Sequence, residues 1–551
     1  MKTLKRSIII FFFACSFVAG PDSPAQATFP DMEIGHWGKM DTNIPSMAKG
    51  LTNDRDDPQY IKVHELVRDK KYDEALAILE EKAKNKSERD TALILKAIIL
   101  NEQGKYLQAL SVMRLGEVIQ KLHPAIQFGL CQIHRNLGQA DMARRSCRIT
   151  TQQHFRNPLT HYEFAQTLMA LGEMKEASDE LALAAQFDPK NPRYHYQRGL
   201  IFSYFNDTDQ AKRAFQKALS ADPNHLDSVY QLAYIYAVTG KPEKAKKQIA
   251  VILAAKDEHP KTQSAKVLLN YINENATAKL PAKIDPPAYH LSRSQSFYKS
   301  GKYGLALLEV QTAARLKPDD LKTQEILVGL SSILLRLVLA EEAVNHLIEL
   351  AKGQSVLQAR GYQKLGDIKV MQGKLAAARK NYEKALSLGD PKNLAKIAIE
   401  EIPEQSADSA APIKPQELYI DPVEGLNRQG EIFSHYGMYK SALGIYSLIL
   451  KMKPTHVLAK LNAGAAYFKI GQYNRAIALL EKVLVTHPNH ENISTHRLLL
   501  AQAYAKKGDL TSALNNLEKL VELNPRYKKL IQSKSEFEKL KNFERYKKLM
   551  Q

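Results

Sequence analysis

The sequence predicts an all-α fold, an α-solenoid of about twelve helix-turn-helix units in three blocks. Two stretches show why: GEMKEASDELALAAQFDP from 172 to 189 and GQYNRAIALLEKVLVTHP from 471 to 488 share a glycine, an alanine and a proline at the same offsets. The alanine recurs at a fixed period. Ala75, Ala109, Ala143, Ala177, Ala211 and Ala245 are each 34 residues apart, and Ala306, Ala343, Ala378, Ala442, Ala476 and Ala513 follow. At 551 residues, 44% apolar and 25% charged, the composition is globular and the chain is long enough for a sizeable core.

Other offsets repeat with the alanine. Five residues before it, nine units have Gly, although Gly is only 26 of 551 residues. Four after it, every unit is apolar: Leu79, Met113, Cys147, Leu181, Phe215, Ile249, Val310, Leu347, Tyr382, Tyr446, Leu480 and Leu517. Twelve before it, eleven units have Ala, Gly, Ser or Cys, and only Val63 is larger. Nine before it, ten units carry a large apolar or aromatic residue such as Phe202, Tyr236, Phe433, Tyr467 or Tyr504, with His134 and Lys369 the exceptions. Apolar residues three and four apart give each helix one stripe, glycine permits the turn, and small residues let two helices approach closely. A proline twelve after the landmark stops the second helix in six units.

This set of landmarks resembles the tetratricopeptide repeat, and the resemblance runs from about 56 to 526. It implies a right-handed superhelix whose concave face is lined by the first helix of each unit and carries the binding function. The tryptophan usual near the start of such a unit is absent, because the one Trp is Trp37, ahead of the array. Bulky residues such as Tyr362 and Leu426 stand in its place.

Two spacings break the period, 61 between Ala245 and Ala306 and 64 between Ala378 and Ala442. They divide the chain into a block of six repeats plus an extra helix at 56–275, a linker at 276–287, a block of three repeats plus an extra helix at 288–402, a Pro-, Ser- and Ala-rich linker at 403–421, and a block of three repeats at 422–526. Residues 28–55 read as an extended lead-in. Residues 527–551 read as a basic closing helix, with Ser533 and Glu536 at capping-box spacing. From 526 to 551 nine Lys or Arg face three Glu, a net charge of +6. Solvated face and contact with anionic headgroups are both open for this tail.

The N-terminus is a basic MKTLKRS, an apolar IIIFFFACSFVAG and a small-x-small site at Ala25-Gln26-Ala27, the pattern of an export signal at 1–27. The apolar run falls short of the roughly 20 residues a span requires, so a membrane anchor is the lesser reading. Lipidation at Cys15 is another, against the usual pattern because Phe12 and Phe13 precede it. Later apolar stretches are shorter or interrupted, as 328–340 is by Arg336. The chain is therefore read as periplasmic.

Net charge is +19, or +17 once residues 1–27 with three cations and one acid are removed. In an exported protein such an excess points to anionic lipid, polysaccharide or acidic protein rather than nucleic acid. Cys131 and Cys147, twelve before and four after Ala143, both face the seam of one hairpin. A disulfide and two buried thiols are equally open.

The chain has no GxxxxGK[ST], HExxH, GxSxG or CxxC, so no catalytic residue, cofactor or metal site is assigned. His487, His490 and His496 cluster without a second ligand type at suitable spacing beyond Glu491. Units four to six present Tyr162, Gln166, Arg193, Tyr196, Gln197, Tyr204, Tyr230, Gln231 and Tyr234 toward the concave face, a tyrosine and glutamine groove suited to an extended ligand. Packing between units is the competing role for each tyrosine. Some relatives grip a C-terminal carboxylate with a Lys and Asn pair one turn apart; Arg193 and Arg428 stand without it. The function expected is a non-catalytic exported scaffold for cell-envelope proteins or extended peptides, by analogy with factors of polysaccharide export and outer-membrane assembly. The alternative is a glycan-binding module using the same groove. Amino-terminal sequencing of the protein recovered from its producing cells should begin at Thr28; a chain starting at Met1 would reject the export signal.

Overall fold

The computed structural model describes residues 58–551 apart from 120–123, 256–258, 275–282, 391–392, 403–420, 489 and 491–492. The export signal, the 28–55 lead-in and most of both linkers lie outside the described residues. Among those described there are helices and turns and no strand. The helices pair into twelve hairpins, an α-solenoid, and in every hairpin the second helix begins three residues before a landmark alanine, as Tyr72 precedes Ala75 and Tyr473 precedes Ala476. Hairpin eight corrects the sequence reading. Its second helix starts at Leu337, so its landmark is Ala340, 34 residues after Ala306, rather than Ala343. Ala340 is wholly buried and both alanines lie on one face a turn apart, which is why spacing alone chose wrongly.

Each turn is closed the same way. The residue five before the landmark has positive φ: glycine in nine hairpins, and Lys70, Asn206 and Leu335 in hairpins one, five and eight. The next N–H then bonds the carbonyl five residues back, as Lys105 N–H does to Leu100 at 2.9 Å and Arg336 N–H to Ser331 at 2.8 Å. This is the Schellman closure of the first helix.

Within a hairpin the small residue twelve before the landmark meets the large residue four after it. A Cβ on Gly430 would lie 2.4 Å from Tyr446, and one on Gly199 or Gly366 the same distance from Phe215 or Tyr382. These glycines are sockets for rings, and Phe215, Tyr382 and Tyr446 are almost wholly buried in them. In hairpin three the same two positions are Cys131 and Cys147. Their Cα atoms are 4.9 Å apart and the sulfurs are bonded. Asn157 and Asn191 cap the first helices of hairpins four and five, each followed by proline at the first helical position.

Packing groups the residues into two compact units, with the boundary between Thr323 and Gln324, inside the helix Leu321–Ile333. Hairpin seven, Pro286–Lys299 and Tyr303–Leu316, therefore folds with hairpins one to six and the extra helix Lys261–Asn273, not with hairpins eight and nine. The second unit holds the extra helix Leu394–Glu401, whose Glu401 accepts from the N–H of Ser441 at 2.9 Å.

The tail corrects a second expectation. It is not one closing helix but three short elements, Tyr527–Gln532, a 3-10 helix Ser535–Asn542, and Glu544–Met550. Ser533 ends the first of these, its hydroxyl bonded to Leu530 carbonyl, so no capping box forms with Glu536. The breaks follow from apolar residues three apart: Phe537, Leu540 and Tyr546 reach the core in successive short turns. Peptide mapping of denatured, unreduced protein should find Cys131 and Cys147 inaccessible to thiol reagents and released together by reduction. Labelling of both without reductant would reject the bond.

Candidate functional site

The residues of the sequence-predicted groove lie on the first helices of hairpins four to six, and most of them are not open. Gln166, Tyr196, Gln197, Tyr204, Tyr230 and Gln231 are buried; Tyr162, Arg193 and Tyr234 are half-buried. Tyr196 packs on Phe215 and His225 with ring centroids 5.8 and 5.1 Å away. Tyr230 lies in the core against the extra helix, where the Lys261 ammonium stands 5.6 Å over its ring. Tyr162 meets Tyr194 at 5.5 Å. Burial, and then the charge of Glu163, push the Tyr162 phenol up to about 12. The expected ladder of ring faces is thus mainly a packing device. The rings are covered from three sources, the partner helix by Phe215, hairpin seven by Tyr289 and the inserted helix by Lys261.

Behind these tyrosines the first helices bury amides and charge. Gln132 and Gln166 stand one period apart, as do Gln197 and Gln231. All four are buried, and Nε2 of Gln132, Gln166 and Gln231 and Oε1 of Gln197 have no hydrogen-bond partner among the described residues. Beside them Arg135 donates to Glu163 at 2.7 Å, an ion pair buried on both sides. Burial, and then repulsion from Glu163, raise the Glu102 carboxyl above its usual range.

The turn edge of hairpins three to five is occupied by hairpin seven. Gly138 and Gly304 touch backbone to backbone: a Cβ on Gly304 would sit 2.2 Å from the Asn136 carbonyl, and one on Gly138 2.7 Å from the Gly304 carbonyl. Arg315 donates to the Leu171 carbonyl at 2.5 Å, and Thr312 to that of Ala170 at 3.4 Å. Asn206, the turn residue of hairpin five, accepts from Ile284 N–H at 2.7 Å and donates to its carbonyl at 3.3 Å. Asn tolerates the left-handed conformation and still offers an amide, which accounts for its place where other turns have Gly.

Under this contact lies a buried carboxylate. Glu309 accepts from Arg293 at 2.7 Å and bonds His290 Nδ1 at 2.6 Å, while His290 Nε2 lies 3.3 Å from the Tyr204 hydroxyl. Arg293 also donates to Tyr289 at 3.2 Å. Burial alone would raise the Glu309 carboxyl, but the Arg293 charge and the bonds from His290 and Arg293 outweigh it and hold it below the usual range. Tyr204 belongs to this network rather than to a ligand surface, and burial pushes its phenol up to about 12. Sequence reading missed His290 and Glu309. The signal available was their separation of 19, repeated by His161 and Glu180, which pair at 2.6 Å in hairpin four.

In the second unit Asn462 donates to Asn427 at 3.2 Å, Asn427 to Glu431 at 2.8 Å, and Arg428 to Glu431 at 3.0 Å. Arg428 is therefore neutralised within its own helix. A shallow pocket of about 360 Å³ lies at the turn of hairpin eleven, lined by Gly471 to Arg475 and by Lys507. Among the described residues no group of three or more His, Cys, Asp or Glu is placed to hold a metal. None of their helices is long and apolar enough to cross a membrane.

Three family models, each described as tetratricopeptide repeat, match residues 205–269, 359–388 and 456–526. No curated protein matches the chain. Similar solved structures include YrrB, described as a TPR protein with an unusual peptide-binding site, at 17% identity over 36% of this chain and 97% of that one, TM-score 0.29. A tetratricopeptide repeat protein from Parabacteroides merdae shares 17% identity over 50% of this chain and 96% of that one, TM-score 0.25. The APC/C hetero-tetramer Cut9-Hcn1 gives 15% identity over 81% of this chain and 96% of that one, TM-score 0.26.

Removing the Glu309 charge should strand the Arg293 guanidinium in the core. Glu309→Gln is expected to lower unfolding free energy by about 3–5 kcal/mol at neutral pH. Because the folded carboxyl titrates below its unfolded value, its contribution is present above the ordinary glutamate range and lost as pH falls through the folded value. The deficit of the variant should shrink in acid. Denaturant titrations of both proteins at neutral and acid pH check this, and an equal deficit at both would count against the charge as its cause.

Proposed function

We propose, from the premise that the chain is a tetratricopeptide repeat protein, that it is a non-catalytic scaffold holding an extended segment of another protein on the inner face of its first unit. Repeats of this fold typically act as interaction surfaces. The observation that carries the reading is the set of inner glutamines at one-period spacing with unused hydrogen-bonding atoms. A buried amide atom without a partner costs about 1–3 kcal/mol, and a peptide backbone supplies donors and acceptors at regular intervals. Tyr162, Arg193 and Tyr234 flank these amides and keep partial exposure.

A glycan would use the same amides, but sugar recognition by tyrosine needs an open ring face, and the rings of Tyr196, Tyr204 and Tyr230 are covered. A peptide is accordingly the favoured ligand. The N-terminal export pattern and the resemblance noted above favour a periplasmic setting, in the assembly of a cell-envelope complex such as polysaccharide export or outer-membrane biogenesis.

A photo-crosslinking amino acid at Tyr162 or Arg193 should trap a discrete polypeptide in cells, while one at the exposed Gln216 should not. Gln166→Leu with Gln231→Leu should cut that adduct about tenfold or more at a melting temperature no lower than the parent's, since it removes two unpartnered buried amide nitrogens. Equal trapping from Gln216, or retention on polysaccharide without any polypeptide adduct, would overturn the proposal.

A further inference from the structure

The tail beyond hairpin twelve is anchored from one side only. Ile531, Phe537, Leu540 and Tyr546 are buried in a cluster with Leu498, Leu514 and Leu517 of the last hairpin. Its more exposed residues are basic and unbalanced in charge. Every tail carboxylate already has a partner: Glu536 accepts from Gln502 at 3.1 Å, Glu538 pairs with Lys541 at 2.8 Å, and Glu544 with Lys547 at 2.6 Å. Arg545 is held by Glu518 at 2.6 Å. That leaves Arg526, Lys528, Lys529, Lys534, Lys539 and Lys548 with no ion pair among the described residues. Six cations along three short elements repel one another, and no described carboxylate pairs with any of them.

Two large apolar residues stand out of the same segment, Leu530 at 41% and Phe543 at 41% exposure. Neither is needed for the closing role, which the four buried residues perform. Exposed apolar residues occur elsewhere on the chain, Phe155 and Phe205 among them, but in the tail each stands within four residues of an unpaired cation in sequence. Cationic side chains around protruding apolar ones match the boundary of an anionic bilayer, where ammonium and guanidinium groups meet phosphates and the apolar residues reach the acyl region. An acidic protein or a polyanion in water would satisfy the charge and leave Leu530 and Phe543 unused.

We propose that residues 526–548 form a docking surface for anionic phospholipid, independent of the peptide groove. The surface attaches the scaffold peripherally through its C-terminal end, by phosphate contacts from the six unpaired cations and shallow insertion of Leu530 and Phe543.

The test uses the chain from residue 28 onward, which keeps every described element and removes the apolar N-terminal run that would itself bind lipid. Sedimentation with phosphatidylcholine vesicles, with and without phosphatidylglycerol, should show binding only when phosphatidylglycerol is present, and weaker binding in high salt. Replacing Arg526, Lys529, Lys539 and Lys548, all exposed, by Gln should weaken it by about two to three orders of magnitude. Leu530→Ser with Phe543→Ser should weaken it at least several-fold at constant charge. Melting temperatures equal to the parent's verify that both variants fold. Absence of binding, binding independent of phosphatidylglycerol, or a quadruple variant that binds like the parent would overturn the proposal. Loss in the charge variant with no change in the Ser variant would also overturn it, and would assign the patch to a water-borne polyanion.

Discussion

One backbone conformation recurs at the same place in all twelve hairpins, and the rest of the solenoid rests on it. A residue in the left-handed region reverses the chain in two steps, so that the second helix returns antiparallel to the first with its landmark alanine against the seam. Glycine enters that region freely, while a residue with a Cβ is disfavoured there by roughly 1–2 kcal/mol. Hairpins one, five and eight accept the penalty with Lys70, Asn206 and Leu335. For Asn206 the compensation is visible in its paired bonds to Ile284. For Leu335 it is burial, since the side chain is 7% exposed.

From the turn follows the seam, and from the seam the spacing of units. A glycine facing a tyrosine, as Gly430 faces Tyr446, sets two helices closer than any larger residue would allow. Hairpin three places two cysteines at the same two positions, with Cα atoms 4.9 Å apart, and joins them covalently. Hairpin seven uses a different device. Its contact with hairpins three to five depends on two glycines in backbone contact, Gly304 buried and Gly138 half-buried, and on a buried carboxylate. Each link of that chain of causes is local, yet the result joins residues 138 and 304.

The periodic part of this was legible because the physical requirement repeats: the same turn, the same socket and the same stripe every 34 residues. Where two residues satisfied one requirement, reading failed, as with Ala340 and Ala343. The candidate groove was legible only as composition. Tyr196, Tyr204 and Tyr230 stand at the expected register, but whether a ring faces a ligand or a neighbour depends on segments that register says nothing about, namely Phe215 in the partner helix, Tyr289 from hairpin seven, and Lys261 from the inserted helix. The glutamines beside them share that burial, which their register does not reveal either. The tail was misread because apolar residues three apart fit a 3-10 turn as well as a helix.

A solenoid is mechanically a spring, its compliance spread over the small rotations between successive units. Hairpin seven changes that for the first unit. It lies across the turns of hairpins three, four and five and is held there by the Asn206, Thr312 and Arg315 bonds and by glycine backbone contact. Stretching those three coils means sliding a docked helix off their ends and drawing Tyr204 away from the His290 and Glu309 pair. The first unit is consequently a spring with its middle coils clamped by hairpin seven.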